Sequence, residues 1–215
     1  MNSKKLISYV WPSVIEKGIT ALGQSYEVNF ENGVKVLNSE NTNYSFGSLH
    51  QIMLKGIDEV LRTLQPKSVL MLGLGAGSAI SILKQKCPYD FKLKAIEIDD
   101  ELIALARKHF NLDVMNAEVV NMDARLAIKD MPSASFDLII DDVFWDNQVP
   151  AFCKEETYLK DNARLLTANG VYMRNIMAES RIDSKFYEEN LSKVFKDFYS
   201  LKHKTYGNKI YFCKQ

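Results

Sequence analysis

The period of the apolar positions changes along the chain. Tyr26, Val28 and Phe30 alternate with polar residues, Asn32-Gly33 carries the two-residue hairpin signal, and Val34, Val36 and Leu37 follow. Residues 1–44 therefore predict a small β-hairpin appendage, in which Leu6, Ile7, Val10 and Trp11 suit a strand or a helical turn equally. From Ser48 onward Leu49, Ile52, Met53, Ile57, Val60, Leu61 and Leu64 recur at helical spacing, and Pro66 ends the run. An alternation follows. Strands are predicted over 68–72, 93–98, 117–121, 136–141 and 171–176. Between them come helices over 78–86, from Asp99-Asp100 to Phe110, and over 154–166, the last stopping near Asn169-Gly170. A helix over 184–198 precedes a closing pair, 199–204 and 210–213, joined by a turn at Tyr206-Gly207-Asn208. Strand and helix in alternation imply parallel crossovers, hence an α/β sheet covered on both faces, with an antiparallel C-terminal edge strand from the closing hairpin.

Composition and charge narrow the function classes. The 215 residues are 47% hydrophobic and 25% charged, enough apolar material for a core and too much for disorder. Lys plus Arg (27) equals Asp plus Glu (27), so no global basic field exists to hold a nucleic-acid backbone. No apolar run reaches membrane-spanning length, and the N-terminal stretch, broken by Ser8 and Pro12, does not read as a signal peptide. Cys87, Cys153 and Cys213 are scattered, and His50, His109 and His203 share no ligand spacing. A cytoplasmic protein with no metal site is expected. His109 reads as a packing histidine. His203, with Lys202, Lys204, Lys209 and Lys214, reads as a lysine-protected edge.

Ligands of such sheets bind at the carboxyl ends of the strands, where the winding reverses. Four clusters end strands here. Gly73, Gly75 and Gly77 lie in a strand-to-helix turn, where backbone can approach a ligand and aim amides at it. Glu97 follows Gly77 by 20 residues, the interval at which an acidic residue meets a ribose. Asp99 and Asp100 read instead as the opening of a helix. The combination points to a nucleoside-containing cofactor. The glycines run G-x-G-x-G, with Ser78 where a dinucleotide fingerprint has its last small residue, which argues against NAD. The remaining clusters are Asn121-Met122-Asp123-Ala124 and Asp141-Asp142-Val143-Phe144-Trp145-Asp146.

Taken together, NYSFGSLHQ, VLMLGLGAGS, KAIEIDDELIALARKHF, VVNMDAR and FDLIIDDVF resemble the class I S-adenosylmethionine-dependent transferases, and among them the spermidine synthase-like group. The likeness covers about residues 44–215. It implies a Rossmann-like, doubly wound, mostly parallel seven-stranded sheet, with a cofactor-binding domain over 45–215. By the same resemblance Gly73, Gly75 and Gly77 lie under the methionine part of S-adenosylmethionine or its decarboxylated form. Glu97 holds the ribose, Ile98 lies against the adenine, Asp123 bonds the adenine amino group with Ala124 beside it, and Asp141 adjoins the cofactor. Asp142 matches the aspartate that orients an attacking amine, and is the catalytic candidate. His50 and Gln51 fall near a Tyr-Gln pair that touches substrate and cofactor. Phe144, Trp145 and Asp146 are the substrate-side candidates, and Val149, Pro150 and Phe152 add apolar cover; Tyr44 and Phe46 would close the site from the N-terminal side.

The departures from that group bear on the reaction. Ala76 stands where polyamine aminopropyltransferases have an aspartate in the glycine turn, Ile52 where a glutamate follows the Tyr-Gln pair, and Trp145 where the second aspartate of an Asp-Ser-Ser-Asp stretch falls. A diamine is a divalent cation whose desolvation without paired carboxylates costs several kcal/mol. Methyl transfer to a small amine-type acceptor is therefore expected ahead of aminopropyl transfer from the decarboxylated cofactor, with Ala76 favouring the carboxylated form. A third class, a scaffold that binds a nucleoside without chemistry, stays open. The expected partners are a small-molecule acceptor, no nucleic acid and no membrane; the N-terminal hairpin would suit a homodimer contact.

Overall fold

A computed structural model describes residues 3–40, 43–177, 181–202 and 208–215. The closing turn at 206–207, His203 and Lys204 lie outside the described residues, as does the side chain of Tyr44. After a short helix α1 (Ser3–Ile7), strands β1 (Ser13–Ile19), β2 (Ser25–Glu31), β3 (Val34–Asn38) and β4 (Asn43–Ser45) form an antiparallel sheet in that order. The Asn-Gly signal forms the β2–β3 hairpin: Asn32 (φ 50°) and Gly33 (φ 77°) both take the left-handed backbone that a two-residue turn of this kind requires. The appendage is larger than a hairpin because β1 and β4 pair onto its two outer edges. No residue of β1 is fully buried, so its apolar alternation is too weak to announce a strand.

The main domain continues with α2 (Gly47–Leu61), β5 (Ser68–Leu72), α3 (Ser78–Lys86), β6 (Lys92–Glu97), α4 (Asp100–Phe110), β7 (Glu118–Asn121) and α5 (Ala124–Ala127). Then come β8 (Phe136–Asp141), α6 (Glu156–Leu165), β9 (Leu166–Ile176), α7 (Arg181–Val194), β10 (Asp197–Lys202) and β11 (Lys209–Lys214). Seven strands lie in the order β10-β11-β9-β8-β5-β6-β7. β5 to β9 are mutually parallel, and β11 runs antiparallel to both β9 and β10, so the C-terminal hairpin closes that edge. One face buries Met53, Ile57, Ile80, Leu83 and Ile103 from α2, α3 and α4. The other buries Ala127, Tyr158, Leu159, Tyr187 and Leu191 from α5, α6 and α7. This is a Rossmann-like doubly wound fold.

Two boundaries differ from their sequence signals. The helix over 184–198 ends at Val194, and Phe198 already belongs to β10. The helix over 154–166 stops at Leu165, and β9 runs straight through Asn169-Gly170. The pairing jumps from Phe136–Leu166 to Leu138–Val171, so extra residues are looped out in the strand. A Cβ at Gly170 would lie 3.0 Å from the Phe136 and Thr167 carbonyl oxygens, so the glycine serves a tight bulge and is no helix stop.

The N-terminal sheet is docked beside the carboxyl end of the main sheet. Tyr26, Val28 and Leu37 pack with Ala76, Leu102, Leu105 and Phe110. Glu16 accepts from Lys108 Nζ (2.8 Å) and pairs with His109 Nε2 (2.6 Å), and the Ala76 amide donates to Ser45 Oγ (2.7 Å). His109 is thus a packed, partnered histidine.

Candidate active site at the strand ends

β5 lies between β6 and β8, so the winding reverses at its carboxyl end, where a crevice opens in folds of this kind. The chain leaves β5 through Gly73 (φ 78°), Gly75 (φ 52°) and Gly77 (φ 85°). A Cβ on Gly73 would sit 2.5 Å from the Asp142 carbonyl oxygen, so the turn and the end of β8 touch backbone to backbone. Gly73→Ala is accordingly expected to destabilise the protein by about 1–3 kcal/mol through a left-handed φ and that collision. A chemical denaturation midpoint unchanged from the parent would contradict it.

Glu97 ends β6 beneath this turn. Its Oε2 accepts from the amides of Leu74 (2.9 Å) and Gly75 (3.0 Å), and its Oε1 from Asp99 (3.1 Å). Burial pushes its pKa up, and the three amides oppose the rise. The carboxylate therefore fixes the turn while still bordering the cavity. Asp99 caps α4 through the amides of Glu101 and Leu102, the structural duty expected of it.

The cavity in front of these groups has a volume of about 350 Å³, within the range of small-molecule sites. It is lined by Gly73, Gly75, Glu97, Ile98, Met122, Asp123 and Ala124 and by Asp142, Phe144, Trp145, Asp146, Pro150 and Phe152. Asp123 caps α5 and holds the Arg125 guanidinium (2.7 Å), which keeps its carboxyl below the usual range; Arg125 also lies 4.5 Å over the Phe152 ring. Asp142 Oδ1 accepts from Asn175 Nδ2 (2.8 Å), and Asn175 Oδ1 accepts from Asn208 Nδ2 (3.0 Å). Burial raises the Asp142 carboxyl to about 7, against the pull of Asn175 and Arg174 and with the help of Asp141 and Glu97. The N-terminal sheet reaches the rim: Gln24 lines the cavity, and Ser39 Oγ donates to Asp146 (2.6 Å).

Four expectations are relocated. Asp141 is fully buried behind the wall, where it pairs with Arg174 and accepts from the Tyr172 hydroxyl (2.6 Å). Gln51 is exposed and off the cavity, and His50 Nδ1 meets Ser78 Oγ (2.9 Å) while its ring stacks on Phe46. On a helix successive side chains are about 100° apart, so only one of three neighbours faces the crevice, and that one is Leu49. Gly77 caps α3 just outside the lining. Ala76 is fully buried against the N-terminal sheet, where its methyl group packs with Tyr26, Val28 and Leu37. Asn175 lies one residue before the end of β9, so the rule that singles out Glu97 and Asp142 reaches it too; Asn208 and Gln24 come from segments with no such signal. Among the described residues no cluster of His, Cys, Asp and Glu could hold a metal ion, and no helix is long and apolar enough to cross a membrane.

Comparison with known proteins agrees with this fold. A family model described as a methyltransferase domain matches residues 69–170. A polyamine aminopropyltransferase of Vibrio vulnificus is 28% identical over 153 residues, covering 68% of this chain and 50% of its own length. The chain thus spans about half the length of the curated relatives it matches. Among solved structures, spermidine synthase from Thermotoga maritima superposes with a TM-score of 0.69 at 22% identity, over 93% of this chain and 72% of that one. Human methyltransferase-like protein 13 in complex with SAH gives 0.67 at 24%, over 78% and 82%. At these identities the structural likeness establishes the fold.

Proposed function

We propose that this chain, which carries a class I S-adenosylmethionine-dependent methyltransferase-type domain with spermidine synthase-like relatives, transfers a methyl group from S-adenosylmethionine to the amine of a small-molecule acceptor. The observation that carries the reading is the backbone contact between the Gly73 turn and the Asp142 strand end, with the buried Glu97 beneath one and a cavity before both. The residues present fit such a cofactor. Gly73 and Gly75 line the cavity with bare backbone, Ile98 and Met122 supply an apolar wall for a base, and Glu97 and Asp123 border it as acceptors. When bound, S-adenosylmethionine supplies an activated methyl group on a sulfonium.

Because the electrophile is already activated, the protein's share is alignment, exclusion of water and one proton transfer. The Asp142 carboxylate would take the proton of an acceptor ammonium and leave its nitrogen lone pair free for the methyl group that the bound sulfonium would supply, the thioether departing with the C–S electron pair. Asp142, with its carboxyl near 7, is matched to an amine proton at neutral pH. Phe144, Trp145 and Phe152 keep bulk water from the acceptor side. Aminopropyl transfer is the second reading, supported by the names of the relatives and by Asp146 lying on the same cavity as Asp142. Calorimetric titration with S-adenosylmethionine, its decarboxylated form and NAD separates the readings, with the carboxylated form expected tightest. Glu97→Gln puts an amide donor among three amide donors and is expected to weaken cofactor binding about 10- to 100-fold, or roughly 1.4–2.8 kcal/mol. Undiminished binding by that variant, or binding of none of the three ligands, would sink the proposal.

A further inference from the structure

A row of polar side chains crosses the end of the main sheet. Asp141 pairs with Arg174 between β8 and β9, and Asn175 pairs with Ile210 between β9 and β11. That register brings Asp142, Asn175 and Asn208 side by side across three adjacent strands. Two residues further into each strand stand Ile140, Met173 and Ile210, all fully buried in the same apolar cluster, so alternation puts the polar row on the face of that cluster. Asn175 and Asn208 are themselves 1% and 4% exposed, and bulk water is no ready substitute for a lost partner there.

The carboxylate decides which way the two amides turn. In its charged form Asp142 only accepts, so Asn175 shows it the amide nitrogen (2.8 Å). The Asn175 oxygen then faces Asn208, which answers with its own nitrogen (3.0 Å). Donation thus runs one way, from Asn208 to Asn175 to Asp142. Without the Asn208 donor the Asn175 oxygen loses its partner, and nothing in the row opposes a turned amide. An oxygen facing Asp142 favours the protonated acid, which alone can donate to it. The charged groups acting on Asp142 are Arg174 on β9, Asp141 on β8 and Glu97 on β6, and Asp146 lines the same cavity. We infer that Asn208, which leads into β11, is a positioning residue: it fixes the Asn175 amide with its nitrogen toward the carboxylate that takes the acceptor's proton. The inference rests on the reading of Asp142 as that proton acceptor, and it makes the C-terminal hairpin a working part of the site.

The test follows the carboxyl-carbon magnetic resonance of Asp142 in the full chain, isotope-labelled on aspartate and assigned by its loss in Asp142→Asn, as pH is raised. The midpoint of the parent is expected near 7. Asn208→Leu has nearly the volume of the parent residue without its donor, and it should raise that midpoint by at least about 0.5 in pH, as should Asn175→Ala. The double variant should titrate with Asn175→Ala to within roughly 0.2, because a residue acting through another adds nothing once the other is gone. Asn208→Ala is read in the same way if the leucine variant does not fold. A midpoint that Asn208→Leu or Asn208→Ala leaves in place overturns the inference, and so does a double variant in which the two shifts add. An unmoved midpoint in a chain that binds S-adenosylmethionine overturns this inference alone. A raised midpoint in a chain that binds none of the three titrated ligands overturns the transferase reading and leaves the chain of donors standing.

Discussion

Arg174→Ala is expected to cost about 3–5 kcal/mol of folding stability, seen as a large drop in the urea midpoint, because it leaves the Asp141 carboxylate buried without its counter-charge. Both side chains are fully buried, one on β8 and one on the adjacent β9. Arg174 also donates to the Val143 carbonyl (3.0 Å) and lies over Phe144, so it pins the backbone on both sides of Asp142. Tyr172, which donates to the second Asp141 oxygen, can stabilise the carboxylate but cannot neutralise it. A double variant, Asp141→Leu with Arg174→Met, should recover much of the stability, since replacing both charges by apolar groups removes the desolvation penalty along with the attraction. A single-variant loss below about 1 kcal/mol would show that the pair is not an isolated buried charge couple.

This pair also shows where the sequence stops being informative. Residues that end strands are legible because the strand register and the glycine turn fix their places: Glu97, Asp123 and Asp142 line one cavity with Gly73 and Gly75. Asp141 and Asp142 are adjacent and chemically identical, but alternation along β8 sends one to the cavity and the other to the core. Only the Arg174 across the sheet shows which is the structural one. His50 and Gln51 fail for the helical version of the same reason, since a motif one residue out of step turns by about 100°. The parallel α/β architecture was readable from the alternation of periods, whereas β1 was not, because a strand with no fully buried residue leaves little pattern. Asn208 and Gln24 reach the cavity through tertiary contacts far from it in sequence, and no local signal encodes those.

Asp142→Asn is expected to lower turnover by about 10²–10⁴-fold while raising stability at alkaline pH. The stability sign follows from the direction of the shift. The folded carboxyl titrates near 7, above its unfolded value, so between about pH 4 and 7 the folded chain keeps a proton that the unfolded chain has released. Stability from this group is full at low pH and is lost as pH rises through 7, where the buried site must carry a charge. Asparagine never charges, so the melting temperature of the variant should exceed that of the parent at pH 8 and converge with it below about pH 4. Turnover has the opposite demand, because only the charged form accepts a proton, and kcat/KM of the parent should rise through pH 7. Asn175 sharpens the assignment. Its amide donates to the carboxylate and lowers the Asp142 pKa, so Asn175→Ala should move the acidic limb of the rate profile to higher pH with turnover retained above it. A limb that stays in place in Asn175→Ala, or an Asp142→Asn variant that turns over normally, would assign the proton to another group. The charge that costs the folded state at pH 8 is then the same charge the reaction uses, which ties the activity of this site to a local loss of stability.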